Sequence, residues 1–118
     1  MSQPESTSQN ILPNWVDSTH IHGMLRGIER ESLRMQSNGF LSQADHPKAL
    51  GSALTHPHIT TDYSEALMEF ITPPLSSIGE TLNYLKDIHA VVHQQLEHDE
   101  KLWPLSMPCM LDDEEESI

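Results

Sequence analysis

Apolar positions change period along this chain, and each period predicts an element. Over 77–100, Ile78, Leu82, Leu85, Ile88, Val92 and Leu96 recur at steps of three and four, which gathers them on one side of a helix. Ser77 followed by Glu80 supplies a capping box at its start. Such a helix should cover one face of a sheet. Between Ile59 and Thr72 the period falls to two: Leu67, Glu69 and Ile71 alternate with Met68, Phe70 and Thr72 ahead of Pro73-Pro74. The end of that segment therefore reads as a strand that carries Glu69. Upstream, MLRGIERESLRM (24–35) precedes Ser37-Asn38-Gly39 and Phe40-Leu41. Asn-Gly accepts the positive φ angles of a type I′ turn, so strand, tight turn, strand is predicted. A helical reading of 24–35 competes through Leu25 and Ile28, but Gly27 and the Asn-Gly turn favour the sheet. His46 to Leu54 predicts a helix of about two turns, with Pro47 in the first turn, where its missing N–H costs nothing. Pro104 and Pro108 exclude a helix from Leu102–Met110 and suit an extended chain at a sheet edge.

These elements divide the chain into three parts. Residues 1–22 read as a polar lead-in: 1–10 (MSQPESTSQN) has the composition of a disordered segment, Ile11 to Val16 adds one short packed turn, and structure begins near His22. Residues 23–111 form the body, and 112–118 an acidic segment. No internal repeat is visible. At 118 residues the chain holds one domain or part of a larger one, and with 36% hydrophobic and 5% aromatic residues its core is thin.

Charge narrows the choice of partners. Eighteen acidic residues against six basic ones give a net charge of −12, and Asp112 to Glu116 supply five of the acids. Nucleic acid is a poor partner for such a surface, because binding it needs a basic face that releases phosphate counterions. Cys109, the single cysteine, has no partner for an intrachain disulfide and no zinc-type spacing around it, which fits a reducing compartment, the cytoplasm. The polar N-terminus lacks the features of a signal peptide, and no apolar run approaches the roughly 20 residues of a membrane span.

The candidate chemistry lies in carboxylates. Glu29 and Glu31 are two apart, so in a strand both leave the same face, and burying two such charges is costly unless a cation sits between them. Mg²⁺ takes oxygen ligands, usually one or two carboxylates plus water and phosphate oxygens. A Glu-x-Glu strand joined by Asp62 and Glu69 could serve several such ions around a nucleotide. On spacing alone the commoner reading is a solvated strand face with Arg30 and Arg34 beside it. The pairs His20/His22, His56/His58 and His89/His93 each lack a third ligand at a diagnostic spacing, so surface or boundary roles are favoured over zinc. Cys109, with no lysine or arginine near in sequence, reads as a small buried residue and not as a nucleophile.

Four strings then carry a resemblance: RGIERESLR (26–34), HPKALGSALTH (46–56), ITTDYSEALMEFIT (59–72) and WPLSMPC (103–109). In this order they closely resemble the N-terminal part of bacterial glutamate–cysteine ligases of the proteobacterial type, over roughly residues 24–110. The resemblance implies an ATP-dependent ligase that phosphorylates the side-chain carboxylate of glutamate. The amino group of cysteine then attacks the acyl phosphate in the first step of glutathione synthesis.

The implied fold is α+β, part of a glutamine-synthetase-like curved antiparallel sheet with a packed amphipathic helix. Its inner wall would carry Glu29, Glu31, Asp62 and Glu69 as ligands of Mg²⁺, with Mn²⁺ a possible substitute. Tyr63 would lie near the cysteine site, and no catalytic residue is assignable within these 118 positions. Family members run to several hundred residues, so the partners implied are glutamate, cysteine, ATP and a missing C-terminal remainder. The isolated chain is then expected neither to ligate nor to fold robustly. A non-catalytic Mg²⁺- or nucleotide-binding module and a purely structural remnant are the alternatives. Geometry offers a check: Glu29, Glu31 and Glu69 should leave one face of a shared sheet, with the helix on the other.

Overall fold

The ERESLRM run forms the centre of the sheet. As β1 (Glu29–Met35) it pairs with β3 (Leu67–Ile71) on one side and with the two-residue β4 (Lys101–Leu102) on the other. β2 (Ile59–Thr61) pairs outside β3, so the order is β2-β3-β1-β4 with every pairing antiparallel. One helix, α1 (Ile78–Gln95), lies between β3 and β4 in the chain. These elements come from a computed structural model that describes residues 11–112. The expectations for residues 1–10 and for the acidic segment at 113–118 lie outside the described residues. Among the described residues, no helix is long and apolar enough to cross a membrane.

Parity along the strands decides what each face carries. Met68 and Phe70 of β3 and Ile59 of β2 leave one face and meet Ile88 and Val92 of α1, with Leu50 closing the side. Met68, Phe70 and Val92 retain no exposed surface, and each such burial stabilises by about 1.5–3 kcal/mol. A second cluster, Leu33, Leu41, Ala66 and Cys109 with Met35, Leu67 and Trp103 at its margin, forms around the opposite face. The small buried role expected for Cys109 is the one it takes.

Several local expectations are corrected. The helix stops at Gln95 and not at 100: Leu96 is extended, and His98 and Asp99 take positive φ. That reversal returns the chain to β1. Ser77 accepts the Glu80 N–H at 3.1 Å, but the Glu80 carboxylate takes the Ser76 hydroxyl at 3.4 Å, so only half of the capping box forms. The first part of the apolar stripe, Ile78 and Leu82, is exposed, and the covered side of the first turns runs instead through Thr81 and Tyr84.

At the hairpin, Met35 bridges Leu41 and the Gly39 N–H donates to Gln36 O at 3.0 Å. Only Gly39 has positive φ (93°), whereas type I′ geometry needs it at Asn38 as well. Asn38 instead accepts the Phe40 N–H through its side chain. In place of two turns at 46–54 there is one 3-10 turn, Lys48–Leu50, ended by Gly51 at φ 77°. Ile11, Leu12 and Trp15 are exposed, so 11–16 is not a packed turn. Among the described residues a 3-10 turn, Ser18–His20 capped by Asp17, precedes His22.

Candidate functional site

Cross-strand register gathers the predicted carboxylates. Glu31 stands directly opposite Glu69, and Glu29 opposite Ile71, so Glu29, Glu31 and Glu69 share one face. On the other side of β3, Thr60 stands opposite Glu69. Asp62, two residues on, continues that register with its N–H donated to Leu67 O at 3.0 Å, which puts it on the same face. Helix α1 covers the reverse face. The expected juxtaposition is therefore present, and the period-two spacing is its cause.

Electrostatics tie the four together. Partial burial raises the Glu69 carboxyl above its ordinary value of 4.5, and the negative charges of Glu29, Asp62 and Glu31 push the same way. Among the described residues none of these four carboxylates forms an ion pair or accepts a hydrogen bond. An all-oxygen set of uncompensated carboxylates suits a hard divalent cation. No three His, Cys, Asp or Glu side chains among the described residues converge as a ready cage. Mg²⁺ does not require one, since water and phosphate oxygens complete its shell.

A pocket of about 420 Å³ opens beside Glu31, walled by Leu33, Leu67, Leu105, Met107 and Pro108. The 103–108 segment is shaped by the Trp103 N–H to Leu33 O bond (2.8 Å) and by the Trp103 indole N–H donating to Met107 O (2.6 Å). Tyr63 is not part of that wall. It sits in the 62–66 loop, 87% exposed, at φ 56°.

Histidines serve the backbone. His56 Nδ1 accepts the N–H groups of His58 and Ile59, His58 Nδ1 meets Ile71 O, and His89 Nδ1 meets Leu85 O with its ring edge-on to Phe70.

Reading Arg34 as a neighbour on a solvated face is wrong. Its parity puts it with Ser32 on the covered side, where it is 0% exposed and donates through Nη1 to Glu100 Oε2 at 2.7 Å. Nη2 donates to the carbonyls of Ala44 (2.6 Å) and Glu65 (3.1 Å). His46 lies alongside, its imidazole held below the usual range by burial and then by the Arg34 charge, with Glu65 opposing. The alternation Arg30, Ser32, Arg34 was the available signal, since it fixes Arg34 on the face away from Glu29 and Glu31.

Geometry thus defines an α+β layer, a helix on one side of an antiparallel sheet and an acidic surface on the other. Comparison supplies its lineage. The sequence profile of glutamate–cysteine ligase matches residues 10–118. A glutamate–cysteine ligase of Hahella chejuensis is 59% identical over 90 residues, which are 76% of this chain and 17% of that protein. One from Sodalis glossinidius is 52% identical over 101 residues, 84% of this chain and 19% of that protein. The crystal structure of the Francisella tularensis glutamate–cysteine ligase in complex with AMP superposes with a TM-score of 0.73 at 42% identity, covering 75% of this chain and 18% of that one. A bifunctional glutathione synthetase from Pasteurella multocida gives 0.71 at 38%, covering 75% and 12%. The chain belongs to the glutamate–cysteine ligase family. It spans less than a fifth of the length of these curated relatives.

Proposed function

We propose that this chain supplies the cation-holding wall of an ATP-dependent ligase that joins the γ-carboxyl of glutamate to the amino group of cysteine. The observation that carries the reading is the placement of Glu29, Glu31, Asp62 and Glu69 on one sheet face, with α1 on the reverse face. Bound Mg²⁺, or Mn²⁺ in its place, would neutralise charge on the phosphates during phosphoryl transfer. The four carboxylates would hold those ions. Nucleotide binding is supported by the AMP complex of the Francisella relative. The pocket beside Glu31 offers walls for substrate, and Tyr63, exposed in the loop that follows Asp62, is proposed to contact the cysteine. Further residues for glutamate and ATP come from the remainder that the relatives possess. We place the reaction in the cytoplasm, which the single buried thiol of Cys109 supports.

The experiment is a chimera in which this chain replaces the matched segment of the Hahella ligase. It should form γ-glutamylcysteine. Glu31→Gln should lower turnover roughly 10²-fold or more, with partial recovery as Mg²⁺ is raised, because one preorganised electrostatic contact is lost in the transition state. Glu97→Gln, at an exposed position, is the control. Equal, small effects at both positions would overturn the reading.

A further inference from the structure

The 62–66 loop carries two of the proposed site residues, Asp62 and Tyr63, yet little of its own structure holds it. Internally it has the Asp62 N–H to Leu67 O bond, the Leu67 N–H to Ser64 O bond at 3.2 Å and a Ser64 N–H to Asp62 O contact. Tyr63 sits at φ 56°, a conformation that costs a non-glycine residue free energy unless its surroundings enforce it.

Those surroundings are reached from the other face of the sheet. Arg34 donates its backbone N–H to Ala66 O at 2.8 Å and its Nη2 to Glu65 O at 3.1 Å, so both ends of the arginine grip the loop. Nη2 also holds Ala44 O, while the Glu65 carboxylate accepts the His46 N–H at 2.8 Å, and the 44–46 segment is thereby bound to the same loop. Nη1 is anchored on Glu100, whose position follows from the reversal after α1. Both members of the pair are buried, 0% and 1% exposed at the side chain. A guanidinium spreads its donors over separate nitrogens of one rigid plane, so Nη1 reaches Glu100 while Nη2 reaches the Ala44 and Glu65 carbonyls, whereas an ammonium gathers its three donors on a single atom and cannot span both sides.

We infer that Arg34 is a positioning residue, a buried clamp that fixes the Asp62–Tyr63 loop against the acidic face and so sets the orientation of Asp62 towards a divalent cation. The inference rests on the cation site proposed above for its last step only. Loop order is a property of the metal-free protein.

The test uses the Hahella chimera that carries this segment and its variant Arg34→Lys, which keeps the charge opposite Glu100 but gives up the directed bonds to Glu65 and Ala44. Hydrogen exchange of the metal-free protein should be faster at the Asp62 and Leu67 amides by roughly tenfold or more, the scale of a lost charge-assisted bond. Amides in the middle of α1 should be unchanged. Mn²⁺ affinity, read by electron paramagnetic resonance, should fall about tenfold, as when an outer partner of a ligand is removed. Unchanged exchange in the loop, or equal acceleration in loop and helix, overturns the clamp. Should Arg34→Lys not fold, the double variant Arg34→Met/Glu100→Met removes both charges together and is read by the same criterion. Failure of the cation reading is separate: Mn²⁺ binding that is absent from the unsubstituted chimera, or equal in its Glu69→Gln variant, refutes that site. The exchange data still decide whether Arg34 holds the loop.

Discussion

Replacing Glu69 by glutamine should stabilise the metal-free chain and weaken its response to Mg²⁺, two effects of opposite sign from one charge. Glu69 faces Glu31 directly across β1 and β3, and Glu29 and Asp62 lie on the same face. Like charges directly opposed on a sheet destabilise by an amount on the order of 0.2–1 kcal/mol. For a domain of this size that is roughly 1–6 °C in melting temperature.

The pH dependence has a definite direction. The folded carboxyl is raised above its ordinary value of 4.5 by burial and by its acidic neighbours. Its contribution to stability is therefore full below that value and is lost as pH rises through the folded pKa. Glu69→Gln should accordingly melt higher than the unsubstituted chain at neutral pH, and the gap should close as the solution is acidified below the ordinary value. Added Mg²⁺ stabilises whatever binds it in the folded state, by about 1.4 kcal/mol at ten times Kd. That gain should be clear in the unsubstituted chain and reduced in the variant. Melts followed by far-ultraviolet circular dichroism, with and without Mg²⁺, give all four values. A lower neutral-pH melting temperature for metal-free Glu69→Gln, or an equal Mg²⁺ shift in both proteins, would refute the argument.

Two further outcomes are expected. His46 is held below its ordinary value of 6.5, so its contribution to stability is full above that value and is lost as pH falls through the folded pKa. His46→Gln should flatten the decline in melting temperature below about pH 6.5, and an unchanged profile would remove the histidine from the account. The isolated 118-residue chain should release no phosphate from ATP in a glutamate- and cysteine-dependent manner, since it spans about a fifth of its relatives' length. A coupled phosphate assay on purified protein checks this.

Sequence alone determined whatever depends on local periodicity. Alternation over Leu67–Ile71 fixed which side of β3 meets the core, and the step of two between Glu29 and Glu31 fixed their shared face, because a strand leaves no other choice. The helix followed from its three-and-four spacing in the same way, and the four ordered strings fixed the family. Only the tertiary structure decided which strands are neighbours, and so that Glu69 stands against Glu31 and that Asp62 joins them across the β2–β3 hairpin. It also decided where α1 ends: the residues beyond Gln95 are helix-compatible by pattern, but the chain must reverse to bring Lys101–Leu102 to β1 and Glu100 to Arg34. The Arg34 pair was the least legible feature. An arginine in a strand with acidic neighbours has the local signature of a solvated face, and its burial depends on partners 10, 31 and 66 residues away that supply the acceptors.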